Sequence, residues 1–164
     1  MHLREPMATH PPPAGPALQS PDWLALDRQL CFALYAGSLA MTKAYKPLLA
    51  PLGLTYPQYL AMLVLWADDG ITVSQLGDRL ALDSGTLTPV LKRLQSQGLV
   101  QRQRDAQDER RVRLCLTPQG HALKAQAASV PHSMASGLGC DLDEIHHLTA
   151  RLTELRQQLQ AQAA

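Results

Sequence analysis

Three cysteines, Cys31, Cys115 and Cys140, are the side chains in this 164-residue sequence best suited to covalent chemistry. A thiol that loses its proton is a nucleophile able to attack a peroxide O–O bond and become a sulfenic acid. Cys31 lies in an apolar run with Tyr35 one helical turn further on. The same placement also suits a small packed hydrophobe, so the residues alone leave both roles open. Cys140 closes the segment Gly137-Leu138-Gly139-Cys140. A glycine-flanked link suits thiol exchange, and an inert loop thiol is the other reading. Cys115 alternates with apolar residues and is read as incidental. The cysteines form no Cys-x-x-Cys pair, and their odd number argues against a fixed disulfide framework. His146 and His147 are adjacent, which on a helix points them about 100° apart. No metal site is expected, since zinc needs three or four ligands on one face.

A second chemistry lies between Lys92 and Arg113. Lys92, Arg93, Arg102, Arg104, Arg110, Arg111 and Arg113 stand against three acidic residues, a local balance of +4 in a chain of net charge +1. Bulk polycation binding is excluded, yet a local cluster can neutralise phosphates and release their counterions. Just before it, Ser84-Gly85-Thr86-Leu87-Thr88 offers small hydroxyl residues and a glycine, which allow close approach to base edges in a major groove. A solvated helix face and an ordinary exposed strand are the plainer reading of each cluster alone.

The elements that must position these groups follow from spacing. Residues 1–20 carry five prolines and few large apolar groups, so a disordered N-terminal arm is expected. Ser20 and Pro21 suit a helix start, with Trp23, Leu26, Leu30 and Leu34 on one face, and Pro47 is expected to end or kink that helix soon after Tyr45. Thr55 with Pro57 opens a second helix through Leu65 to Asp69-Gly70. Thr72 with Gln75 forms a capping box for a short third, and Asp83 caps a fourth that Gly98 ends. Leu99–Arg104 and Arg110–Leu116 read as two strands joined by a polar turn, with Val112, Leu114 and Leu116 on one face. Thr117-Pro118 restarts a helix. Asp141 with Glu144 caps a last one, in which Ile145, Leu148, Leu152, Leu155 and Leu159 repeat at three-four spacing.

Helix, helix, short helix, helix and then a hairpin is the order of a winged helix-turn-helix. The fold class expected is mostly α with a two-stranded β wing, flanked by N- and C-terminal dimerisation helices. The organisation is an arm at 1–20, a dimerisation helix region at 21–54, a DNA-binding domain at 55–117 and dimerisation helices at 118–164. Aromatic residues make up only 4% of the chain, which excludes a typical β sandwich or barrel. No run of 18 apolar residues spans a bilayer, and the Pro-rich start lacks the apolar core of an export signal. A cytoplasmic protein is expected. The flanking apolar stripes ask for a partner, and a homodimer supplies one.

The segment Asp108-Glu109-Arg110-Arg111-Val112 followed by Leu116-Thr117 resembles the wing of the MarR family. Leu30-Cys31-Phe32-Ala33-Leu34-Tyr35, Leu54-Thr55-Tyr56-Pro57-Gln58-Tyr59, Leu82-Asp83-Ser84 and Leu87-Thr88-Pro89 are similar to its OhrR subfamily, repressors that sense organic hydroperoxides. The resemblance covers about residues 22–160. It implies that Ser84, Gly85, Thr86 and Thr88 read double-stranded DNA, with Lys92, Arg93 and Arg111 adding positive charge. It further implies that Arg110 enters a minor groove, steadied by Asp108. Cys31 matches the sensing thiol, and Tyr45 and Tyr56 match two tyrosines that hydrogen-bond to it. Cys140 corresponds to a resolving cysteine of the two-cysteine branch, although some members carry that residue nearer the position of Ser136.

Helix geometry adds a condition. Fourteen residues separate Cys31 from Tyr45, about four turns and about 21 Å along an axis, so any support between them must cross a dimer. The function expected is an organic-hydroperoxide-sensing repressor without cofactor or enzymatic activity. The rivals are a MarR regulator that binds a small aromatic ligand and a small two-cysteine thiol peroxidase. The latter lacks the expected thioredoxin-like βαβ pattern.

Overall fold

The computed structural model describes residues 24–104 and 112–162. These fall into two compact units, one ending at Ala40 and the other beginning at Met41. In the first, a short 3-10 turn at Leu26–Arg28 precedes the start of α1, which runs Leu30–Leu49 and so contains the boundary between the units. The helix therefore begins later than the Leu spacing predicts, and it passes through Pro47 instead of ending before it. Proline lacks the N–H that would reach the carbonyl four residues back, so the helix carries one missing bond and ends two residues later. Leu26, Leu30, Leu34, Tyr35 and Leu39 are exposed, so this unit presents an apolar face without covering it.

In the second unit a 3-10 turn at Ala50–Leu52 leads to α2 (Tyr56–Ala67), α3 (Val73–Leu80) and α4 (Ser84–Ser96). Each start is a local hydrogen-bonding event. The Gln58 side chain accepts the Thr55 amide at 2.8 Å. Thr72 accepts from the Gln75 amide while Gln75 accepts the Thr72 amide, the reciprocal box that ends two orphan donors. Gly98 follows α4 at φ 70, the left-handed conformation that its spacing predicted.

Strands β1 (Val100–Arg104) and β2 (Val112–Leu116) pair antiparallel, with Val100 opposite Leu116 and Arg104 opposite Val112. Leu114 and Leu116 are buried while Arg113 points to solvent, as the period-two pattern requires. Thr117 caps α5 (Pro118–Ala127) by accepting the Gly120 amide. The single C-terminal restart expected before the last helix is in fact two pieces, because the chain breaks before α6 (Val130–Gly137), which carries Pro131 in its first turn. The last helix, α7, spans Leu142–Gln162 and starts where Asp141 accepts the Glu144 amide.

One apolar cluster holds α2 to α5 and the hairpin together, with Met62, Leu65, Leu76, Leu87, Leu91, Leu94 and Leu114 fully enclosed. Gly120 is where α5 meets the root of the wing. A Cβ built there would stand 2.2 Å from the Leu99 carbonyl oxygen, so only glycine permits the approach. By contrast α7 has no buried residue, and Leu148, Leu152 and Leu159 are about half exposed. Among the described residues, no single helix is long and apolar enough to cross a membrane.

Candidate nucleic-acid interface and thiol site

The first turn of α4 is organised by Asp83. Its carboxylate accepts the Thr86 amide at 2.9 Å and the Thr86 hydroxyl at 2.8 Å. Those two bonds, the backbone one foremost, hold the Asp83 carboxyl below the usual carboxylate range. A side chain at Gly85 would crowd the same carboxylate, since its Cβ would fall 3.0 Å from Oδ1. One turn on, the Thr88 hydroxyl donates to the Ser84 carbonyl at 2.6 Å. Ser84, Gly85 and Thr86 are exposed, Thr88 is half-buried, and Lys92 and Arg93 continue the exposed surface. Leu87, Leu91 and Leu94 bury the opposite side.

The wing is fastened beside this helix. The Arg113 guanidinium donates to the Gly70 carbonyl at 2.9 Å. Asp69 accepts the amides of Gly70 and Leu116, each at 2.8 Å, and its other oxygen lies 3.4 Å from His121 Nε2. Between α3, α4 and the wing lies a groove of about 770 Å³, lined among others by Ser74, Ser84, Thr88, Arg102 and Arg113. Asp108, Arg110 and Arg111 lie outside the described residues.

The thiol residues are distributed along the chain. Cys31 is exposed near the start of α1, its S–H directed at Gln29 Oε1 at 3.9 Å, and Tyr35 is exposed one turn on. In the second unit Tyr45 and Tyr56 come together, their ring centroids 4.7 Å apart. Tyr59, almost wholly buried, lies 5.8 Å from Tyr45 and meets Trp66 edge-on at 6.4 Å. Burial raises all three phenol pKa values, and the neighbouring phenols push Tyr45 and Tyr59 further. Tyr45 and Tyr56 are therefore protonated at neutral pH and able to donate.

Cys140 is half-buried, with its S–H aimed at the Leu138 carbonyl at 3.7 Å. Desolvation raises its pKa first, followed by Glu144 and Asp141. At neutral pH it is a thiol. Cys115 on β2 is raised too, by burial and then by Asp69. Among the described residues no cluster of three or more histidine, cysteine or acidic side chains is gathered for a metal.

Sequence reasoning passed over Tyr59, Trp66 and Asp69. Tyr59 had a readable signal, because it follows Tyr56 by three and so shares its side of a helix. The bonds from Trp66 to Gly120 and from Leu116 to Asp69 join residues 54 and 47 positions apart and leave no local trace.

A model of the MarR family matches residues 54–112, the stretch from the turn before α2 to the start of β2. The organic hydroperoxide resistance transcriptional regulator of Bacillus subtilis (strain 168) is 47% identical over 140 residues, covering 84% of this chain and 95% of that one. The chain belongs to the MarR family. The HTH-type transcriptional regulator TtmR of Methylorubrum extorquens (strain PA1) is 50% identical over 139 residues, covering 85% and 71% of the two chains. Reduced AbfR bound to DNA superposes with a TM-score of 0.73 at 34% identity, covering 88% of this chain and 99% of that one. Disulfide-formed AbfR gives a TM-score of 0.56 at 36% identity, over 85% and 93%. These MarR relatives are transcriptional regulators and not enzymes, so the thiol peroxidase reading falls away. The α3–α4 pair with its hairpin is the winged helix-turn-helix of a MarR-type DNA-binding regulator, close to the organic hydroperoxide regulators.

Proposed function

We propose that this MarR protein is a homodimeric cytoplasmic repressor that releases its operator when an organic hydroperoxide oxidises Cys31. The observation that carries the reading is the Tyr45–Tyr56 pair, two protonated phenols whose rings lie 4.7 Å apart, tilted by 31°. Two such donors stabilise a thiolate against its protonated form. The apolar faces of α1 and α7 support the dimer, and across it the phenols of one subunit reach Cys31 of the other. Ser84, Gly85, Thr86 and Thr88 enter the major groove, Lys92, Arg93 and Arg111 face phosphates, and Arg110, braced by Asp108, reaches a minor groove. The likeness to an organic hydroperoxide resistance regulator, and to a regulator solved both on DNA in its reduced form and with a disulfide, supports the redox signal.

The chemistry balances without a cofactor. The Cys31 thiolate attacks the terminal peroxide oxygen, an S–O bond forms, and the O–O bond breaks. The alkoxide leaves with the electron pair, takes a proton and becomes an alcohol, while the sulfur becomes a sulfenic acid. The thiolate of Cys140 from the second subunit then attacks that sulfur, forming S–S and expelling hydroxide, which leaves as water. The helices flanking the wings are drawn toward the new bond, and the spacing of the two reading helices no longer fits successive major grooves.

Operator binding measured with and without cumene hydroperoxide, for wild type and Cys31→Ser, tests this. The wild type is expected to release DNA and the variant to hold it. Equal release by both sinks the thiol, and release by a phenolic ligand without oxidation supports the other MarR mode.

A further inference from the structure

The hydroxyl protons of Thr86 and Thr88 are both spent inside the protein. Asp83, held ionised below the usual carboxylate range, has no proton to give, so the 2.8 Å contact with Thr86 Oγ1 requires the threonine to donate. A backbone carbonyl likewise only accepts, so the 2.6 Å contact of Thr88 Oγ1 with the Ser84 carbonyl also consumes its proton. Each hydroxyl is left with lone pairs and no proton to give. Thr86, Gly85 and Pro89 are exposed, and Thr88 borders the groove beside the wing.

From this we infer that α4 reads the major groove as an acceptor surface, through Thr86 and Thr88, and that Asp83 enforces that polarity. The inference rests on the proposed role of α4 as the DNA-reading helix. A phosphate oxygen is itself an acceptor and cannot bond to a hydroxyl that has no proton left. These threonines are therefore base contacts and not backbone contacts. In the major groove the only donors are the exocyclic amines, N6 of adenine and N4 of cytosine, and the apolar complement to a threonine methyl is the C5 methyl of thymine. Guanine, with acceptors at both O6 and N7, is disfavoured opposite either residue. Phosphate contacts must come from elsewhere, and the exposed Lys92 and Arg93, with Arg102 lining the groove, carry the donors.

The test uses the full-length reduced protein and duplexes it selects from random-sequence DNA. Selected sites are expected to hold adenine or cytosine under α4. Replacing that adenine with 2-aminopurine, which moves the amine to the minor groove, or that cytosine with pyrimidin-2-one, should weaken binding about tenfold. The two analogues separate the two amine sources. Thr86→Val keeps the shape and removes the acceptor, so its affinity should fall by about the same factor and become indifferent to the analogue at that base.

Asp83→Asn keeps a helix cap but offers an amide where a carboxylate stood, which frees the Thr86 proton. Its selected sites should shift toward guanine at the contacted position. An unchanged base preference in Asp83→Asn, or an equal loss for all sequences in Thr86→Val, overturns the inference while leaving DNA binding intact. Failure of the wild type to select any sequence overturns the repressor reading itself, and this inference with it.

Discussion

The indole N–H of Trp66 donates to the carbonyl oxygen of Gly120 at 2.9 Å, and the Lys124 ammonium donates back to the Trp66 carbonyl at the same distance. Helix α5, from which the wing's return strand hangs, is thereby held to α2 at both ends of one residue. Tyr59 meets the same indole edge-on, so the row of aromatic contacts that begins at Tyr45 ends on the support of the wing.

Trp66→Phe retains a ring and removes the donor. Loss of one part-buried hydrogen bond is expected to cost about 1–3 kcal/mol. Urea denaturation should show a lower midpoint at an unchanged slope. An unaltered midpoint would show that the indole contact contributes nothing.

Arg110→Ala is expected to weaken operator binding by about 1–3 kcal/mol and to flatten the dependence of log affinity on log salt. Fluorescence anisotropy across a salt series measures both. Unchanged affinity at moderate salt would remove the wing from the interface.

Cross-linking of Cys31 to Cys140 is expected to quicken as pH rises, because burial and then Glu144 hold the attacking thiol protonated at neutrality. Glu144→Gln removes a neighbouring negative charge, lowers the Cys140 pKa and raises the thiolate fraction at pH 7. Non-reducing gels sampled after peroxide addition should therefore show a faster dimer band in the variant. Cys140→Ser should show none.

The Asp83 cap carries a pH signature. Its folded pKa is depressed by the Thr86 amide and hydroxyl, so its stabilisation is present above the unfolded value and is lost as pH falls through the folded one. Thermal melts should place Asp83→Ala below wild type at pH 7. The difference should shrink in acid, below the ordinary carboxylate range.

Helix starts were readable because capping is local: Thr72, Asp83, Thr117 and Asp141 each bond an amide three residues on. The wing was readable for a similar reason, since Leu114 and Leu116 face the core at period two. Pro47 does not stop α1 before itself but lies inside its last turn, two residues short of the end, a difference that the sequence pattern does not resolve. The break before α6 had its sign in Pro131, but composition around it is otherwise helical. At the candidate site, Ser84, Thr86 and Thr88 were visible as small polar residues, whereas the direction of their hydroxyl protons depends on Asp83 and Ser84 as acceptors. Tyr45 and Tyr56 were reached through family likeness alone. The contact of Tyr45 with Tyr56 joins α1 to α2 and is a tertiary packing outcome that no local periodicity marks.

Gly120 sets how closely α5 approaches the root of the wing. Its missing methyl lets α5 approach to where a Cβ would stand 2.2 Å from the Leu99 carbonyl. An alanine there would force a displacement of roughly 1 Å to restore ordinary contact, and one nucleotide step along a strand is only about 3.4 Å. A single carbon at the root of the hairpin thus amounts to nearly a third of a base step at its base, before any lever along the strands enlarges it.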